Sequence, residues 1–326
     1  TLFASGDSQT SARLVRCSDM ALRLNPDVVD FLPHHILMLE EVRRRADAFD
    51  VLHFHVDLLQ FSLVREFADR TITTLHGRLD LPDLQPFYRA FPDMPLVSIS
   101  YDQRRPMPPE VHWAGNVYHG LPRDLLPFAA GSAGDYLAFL GRISPEKRPD
   151  RAIEIAARVG MPLKIAAKVD KADKAYWEST IEPMVKAHPN VEFVGEIDEP
   201  HKPAFLGNAR ALLFPIDWPE PFGLVMIEAM ACGTPVIAFS CGSVPDVIDD
   251  GVSGFVVDSV EAAVDALSRL DTLDRSRVRA TFDRRFTVDR MACDYLAVYS
   301  SLSGVRGDDA GVARLKGHER GRQAVA

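Results

Sequence analysis

Two glutamates separated by seven residues, Glu220 and Glu228, stand in the segment best equipped for chemistry. It reads Trp218-Pro219-Glu220-Pro221-Phe222-Gly223-Leu224 and runs on through Glu228-Ala229-Met230-Ala231-Cys232-Gly233-Thr234-Pro235-Val236. Pro221 precedes a helical pattern over 222–231, which puts Glu220 in a loop at a helix N-terminus and Glu228 about two turns further on. A carboxylate accepts hydrogen bonds from vicinal hydroxyls, and the amides of Phe222, Gly223 and Leu224 can meet polar ligand atoms. By periodicity alone, Glu220 reads equally as a helix cap and Glu228 as a surface carboxylate.

A second cluster, Gly141-Arg142-Ile143-Ser144-Pro145-Glu146-Lys147-Arg148, follows a strand pattern and precedes a helical one. Gly141 lets the backbone pass close to a ligand. Arg142 and Lys147 bring the charge and donors that suit a diphosphate, although basic residues after a strand often only decorate solvent. His76-Gly77-Arg78 ends another strand, His53 and His55 alternate on the strand before it and share one face, and His119-Gly120 marks a further turn. No third ligand-spacing signal supports a metal at these histidines, so none is expected. The chain carries neither a G-x-x-x-x-G-K-[ST] phosphate loop nor a G-x-S-x-G nucleophile elbow.

The elements that must position these groups alternate between strand and helix. Strands are expected at 50–55, 71–76 and 96–100, with helices over 34–49 and 58–69 and a long loop carrying one helical turn at 82–95. After a small-residue, proline-containing connection at 122–134, the pattern restarts. It predicts strands at 136–141, 163–167, 191–194, 211–215, 235–239 and 254–257. Helices are expected at 149–159, 177–187, 202–209, 222–231 and 260–270. Such βα alternation implies parallel sheets, with ligand groups at strand ends and helix starts. The fold class is therefore α/β, with two Rossmann-like domains facing an interdomain cleft. The first domain spans 1–128 and the second 135–285. A helical segment at 286–303 is expected to return toward the first domain, and a flexible tail covers 304–326.

Composition limits the functions available. With 46 acidic and 37 basic side chains the 326-residue chain carries a formal charge of -9, which argues against nucleic-acid binding. No apolar run approaches the roughly 18 residues of a membrane span. The four cysteines form no C-x-x-C pair, which fits a reducing cytoplasm.

Taken together, Glu220-Pro221-Phe222-Gly223, the Glu228 to Val236 run and Gly141-Arg142 with Lys147 resemble glycosyltransferase family 4, retaining sugar-nucleotide transferases of the GT-B fold. The resemblance covers about 1–300 and is strongest over 137–257. It implies a metal-independent hexosyltransferase-type enzyme with no permanently bound cofactor, using a UDP- or GDP-sugar donor and a hydroxyl acceptor. Arg142 and Lys147 would contact the donor diphosphate and Glu228 the ribose hydroxyls. Glu220, with the backbone of Phe222, Gly223 and Leu224, would approach the donor sugar or distal phosphate. Gly195-Glu196-Ile197 matches the turn lining the base. His76 matches a first-domain histidine near the reacting centre, and His55 a second such position.

Two departures accompany the resemblance. The family opens with a strand and a glycine-rich loop that this sequence lacks, and Thr1-Leu2-Phe3-Ala4-Ser5-Gly6 reads as a strand cut short at its start. The first domain is accordingly expected to be incomplete. The family's Asn-Gly turn before the linker is His119-Gly120 here. Two alternatives stay open at this level: a degenerate nucleotide-binding partner or regulatory protein, and a sugar phosphorylase or sugar-nucleotide epimerase on the same plan.

Overall fold

A computed structural model describes residues 1–128 and 134–302. The chain folds into two compact units. One takes 1–98, 107–115 and the segment from Leu296; the other takes 99–106 and 116–295. Part of the expected 122–134 connection and the tail at 304–326 lie outside the described residues.

The first unit holds two sheets. β1 (Leu2–Ser5) and β2 (Leu14–Ser18) form a parallel pair. β3 (Leu52–Phe54), β4 (Thr71–Thr74), β5 (Leu96–Ser98) and β6 (Trp113–Asn116) form a four-stranded sheet in that order, with β3, β4 and β5 mutually parallel. Every residue of β4 is buried, as its β-branched Thr-Ile-Thr-Thr sequence allows in a strand covered on both faces. The helix Leu32–Arg44 starts two residues earlier than its periodicity suggested because Pro33 is pre-set for a first turn. The 82–95 stretch is more regular than its prolines implied. It carries a helix at Leu84–Ala90, since Pro86 lies in the opening turn, where a missing N–H costs no hydrogen bond. The 58–69 segment instead splits into the short helix Phe61–Val64 and the 3-10 stretch Arg65–Arg70.

The second unit is built on one six-stranded parallel sheet. Its strands are β7 (Tyr136–Arg142), β8 (Leu163–Lys168), β9 (Val191–Gly195), β10 (Ala209–Phe214), β11 (Val236–Phe239) and β12 (Gly254–Val257). They lie in the order β12-β11-β10-β7-β8-β9, so the winding reverses between β7 and β10. That reversal opens a crevice at the carboxyl ends of those two strands, the place where doubly wound sheets bind ligands. Alternate residues supply the two core layers. Ala138, Leu212 and Val236 pack on one face, whereas Phe139, Leu213 and Ile237 pack on the other. The helix Leu224–Ala231 backs the first layer, and the helices Pro149–Val159 and Val260–Ser268 back the second. The 177–187 helix is interrupted by a π-helical turn, Trp177–Ile181, ahead of Glu182–Ala187. Pro183 has no N–H for the regular ladder there. A last helix runs over Val288–Ser301.

Candidate functional site

At the β7/β10 reversal the second unit encloses a cavity of about 320 Å³. Its wall includes Gly141 near the end of β7, Lys168 at the end of β8, Phe214 at the end of β10, and Lys147, Lys202, Glu220 and Glu228. Both glutamates are only 9% exposed. A buried carboxylate must be paired, and each of these has a lysine. Lys147 donates from Nζ to Glu220 Oε2, which also accepts from Trp218 Nε1 at 3.1 Å. The Lys147 ammonium sits 4.8 Å from the centre of the Trp218 ring. Lys202 donates from Nζ to Glu228 Oε1 at 2.9 Å and also to Glu199. Burial pulls the Lys202 ammonium toward its neutral form, but the hydrogen bonds and charges of Glu199 and Glu228 outweigh this and hold its pKa above the ordinary lysine value.

The loop carrying Glu220 is fixed by its backbone. Ser243 N–H donates to Glu220 O at 2.9 Å, Ser243 Oγ to Phe222 O at 2.8 Å and Ser100 Oγ to Pro221 O at 2.6 Å. Gly242 makes the approach possible: at φ +55 it lies so close that a Cβ there would fall 2.3 Å from Glu220 N. Gly223 then takes φ +76 and turns the chain into the helix Leu224–Ala231, whose first amides have no intrahelical partner. The helix begins at Leu224 rather than at Phe222 because that left-handed residue precedes it.

The sequence-selected residues are not all equivalent in space. Lys147, Ile197, Glu220, Gly223, Leu224 and Glu228 line the cavity together. Arg142, the last residue of β7, is not part of the wall. Its half-exposed guanidinium donates to Glu146 at 2.7 Å and lies 3.5 Å from Asp173. Gly195 ends β9 beside the cavity-lining Glu196 and Ile197. The Phe222 side chain is buried beneath the loop, edge-on to the His119 ring at 4.9 Å, and the residue is not part of the cavity wall. Sequence reasoning missed Lys202 and Lys168. Lys168, at a strand's carboxyl end, was open to discovery by position, whereas nothing around Lys202 distinguishes it from a surface lysine.

His76 belongs to the first unit, two residues past β4. Its Nε2 lies 2.8 Å from His55 Nδ1, so one ring donates and the other accepts. His53, whose ring lies 4.2 Å from that of His55, has Nδ1 2.8 Å from Tyr299 Oη and Nε2 2.8 Å from Thr74 Oγ1. Burial, together with neighbouring histidine charge, lowers His53 to about 3 and His55 to about 4; burial also lowers His76, against the pull of Asp57. All three are therefore neutral near pH 7. Among the described residues no group of three His, Cys, Asp or Glu side chains is placed to hold a metal ion, and no helix is long and apolar enough to cross a membrane. The first unit also has a larger cavity, about 570 Å³, between the strands β1 and β3. Phe3, Met38, Leu39, Phe49 and Phe54 help line it together with His53 and His55, and no carboxylate does; the paired charges of the smaller cavity make that the candidate site.

Residues 129–281 match the family model described as Glycosyl transferases group 1. The D-inositol 3-phosphate glycosyltransferases of Mycobacterium tuberculosis and Mycobacterium bovis are 31% identical over 174 residues, 49% of this chain and 36% of theirs. The match thus spans little more than a third of the length of these curated relatives. Anabaena HepE solved with UDP superposes with a TM-score of 0.70 at 19% identity, covering 81% of this chain and 82% of that one. Sucrose-phosphate synthase from Thermosynechococcus elongatus gives 0.69 at 18% identity, covering 89% and 83%. These likenesses, with the parallel sheets described above, establish two Rossmann-like α/β domains in a GT-B-like fold.

Proposed function

We propose that this chain, a GT-B-like homologue of the group 1 and family 4 glycosyltransferases, transfers a sugar from a nucleoside diphosphate sugar to an acceptor hydroxyl. The observation that carries the reading is the pairing of two buried carboxylates with two lysines around one cavity at the β7/β10 reversal. In this reading Glu228 accepts hydrogen bonds from the ribose hydroxyls, and Gly195 and Ile197 border the base. Lys147 and Arg142 offset the charge of the diphosphate. An ammonium has three protons, so Lys147 can donate to a phosphate oxygen and keep its bond to Glu220. Glu220 and the amides of Phe222, Gly223 and Leu224 meet the donor sugar or distal phosphate. Leaving-group charge is thereby stabilised by fixed donors and helix-terminal amides without a dedicated metal.

His76 is the proposed catalytic side chain of the first unit. Neutral near pH 7, it can accept a hydrogen bond from a hydroxyl or donate one. A uridine donor is the first to test, because HepE was solved with UDP and glucose. A cytoplasmic setting is part of the same proposal, supported by the four free, widely spaced cysteines.

The experiment is calorimetric titration of the full chain with UDP and GDP, followed by transfer and donor-hydrolysis assays over a panel of UDP- and GDP-sugars. Micromolar to millimolar binding of one nucleotide, with release of that nucleotide from its sugar, is expected. Failure to bind any nucleoside diphosphate would overturn the proposal.

A further inference from the structure

We infer that Lys202 is a positioning residue for Glu228, holding its carboxylate for a ribose diol. The inference rests on the proposed nucleotide-sugar reading of the cavity and adds a residue to it. Glu228 projects from the interior of the helix Leu224–Ala231, and Lys202 opens a different helix, Lys202–Gly207. The two meet at 2.9 Å, and both side chains are largely buried. Lys202 is also tied to Glu199, so its ammonium is held from two sides.

The pairing has two consequences. It supplies the countercharge that a carboxylate withdrawn from water requires. It also engages one lone pair of Oε1, which restrains the carboxylate and leaves the remaining acceptor sites on both oxygens for the two hydroxyls of a diol. A carboxylate in a fixed plane discriminates a vicinal diol from a single hydroxyl better than a freely turning one, because little torsional freedom is lost on binding. Lys202 lines the same cavity beside Ile197 and Glu196, so its position serves the nucleoside end of the site.

The test compares UDP with dUDP, and GDP with dGDP, on the full chain. Wild type should favour the ribonucleotide. Lys202→Met should bind it about tenfold more weakly while binding the deoxynucleotide almost as well as wild type does, so that the preference collapses. Lys202→Arg should restore it. Adding Lys202→Met to Glu228→Gln should cost little beyond Glu228→Gln alone, because both changes remove the same interaction. Should Lys202→Met fail to fold, Lys202→Gln carries the same comparison. An unchanged ribose preference in the folded variant, or equal loss of both nucleotides, overturns the inference while leaving the functional reading intact. A wild-type chain that binds none of the four nucleotides brings down that reading first, and this inference with it.

Discussion

Lys147 and Glu220, 73 residues apart in sequence, form a hydrogen-bonded ion pair that joins the loop after β7 to the loop after β10. The pair therefore spans the point at which the sheet reverses its winding. Removing the lysine leaves a 9%-exposed carboxylate with only the Trp218 indole as a described side-chain partner. Lys147→Ala should consequently lower both thermal stability and nucleoside diphosphate affinity. A lost charged hydrogen bond costs about 1.5–3 kcal/mol, or one to two orders of magnitude in binding. Calorimetry and thermal unfolding on one preparation would check both effects, and unchanged affinity in a folded variant would remove Lys147 from the donor site.

Arg142 should behave differently. Its partners Glu146 and Asp173 meet it at a surface where the guanidinium is 46% exposed, and such pairs contribute little to folding. Arg142→Ala is expected to leave the unfolding midpoint nearly unchanged while weakening diphosphate binding. UDP should lose more affinity than uridine, since only the former carries the charge the guanidinium would meet. Equal affinities for UDP in variant and wild type would confine Arg142 to a surface role.

For His76 the expectation is a split between binding and turnover. His76→Ala should retain nucleotide affinity, because the cavity proposed to hold the nucleotide is lined by residues of the second unit. Transfer should fall by about 10²–10⁴-fold if the ring handles the acceptor proton. Initial-rate measurements at saturating donor would show it; an undiminished kcat would end the catalytic assignment.

The histidine cluster also gives stability a pH dependence with a definite sign. An ordinary histidine titrates near 6.5, whereas burial holds His53 at about 3 and His55 at about 4. Between those values and 6.5 the unfolded chain takes up protons that the folded chain refuses. Stability is therefore present above pH 6.5, declines as the pH falls through this window, and levels off below about 3. His55 keeps an exposed edge, so solvent screening makes its share smaller than that of His53. Unfolding midpoints measured from about pH 7.5 to 4 should drop, and His53→Asn should flatten the slope. A slope identical in both proteins would contradict the assignment.

Much of this architecture is legible in local sequence. The central strands of the second unit announce themselves as apolar runs because both of their faces are buried, and Pro221 with Gly223 marks the helix start beside Glu220. The pairing of the charges is not legible. Lys202 meets Glu228 across 26 residues only because the helix Lys202–Gly207 packs near Leu224–Ala231, a tertiary fact that no local pattern encodes. Gly242 likewise looks like a turn residue until its contact with the Glu220 backbone is seen. In the first unit the prolines of 82–95 misled, because their cost depends on which turn of a helix they occupy.

The bond between His53 and Tyr299 joins residues 246 positions apart, and both belong to the first unit, which takes segments from three separate stretches of chain. Synthesis is directional. At about 5–20 residues per second, the ribosome releases His53 tens of seconds at most before Tyr299. Throughout that interval β3 and β4 wait without their last side-chain contact, while nearly all of the second unit emerges. The unit that starts first is thus the one that finishes last. Its early strands can pair with β5 and β6 long before that, but a stalled or prematurely terminated chain would lack the Tyr299 bond to β3.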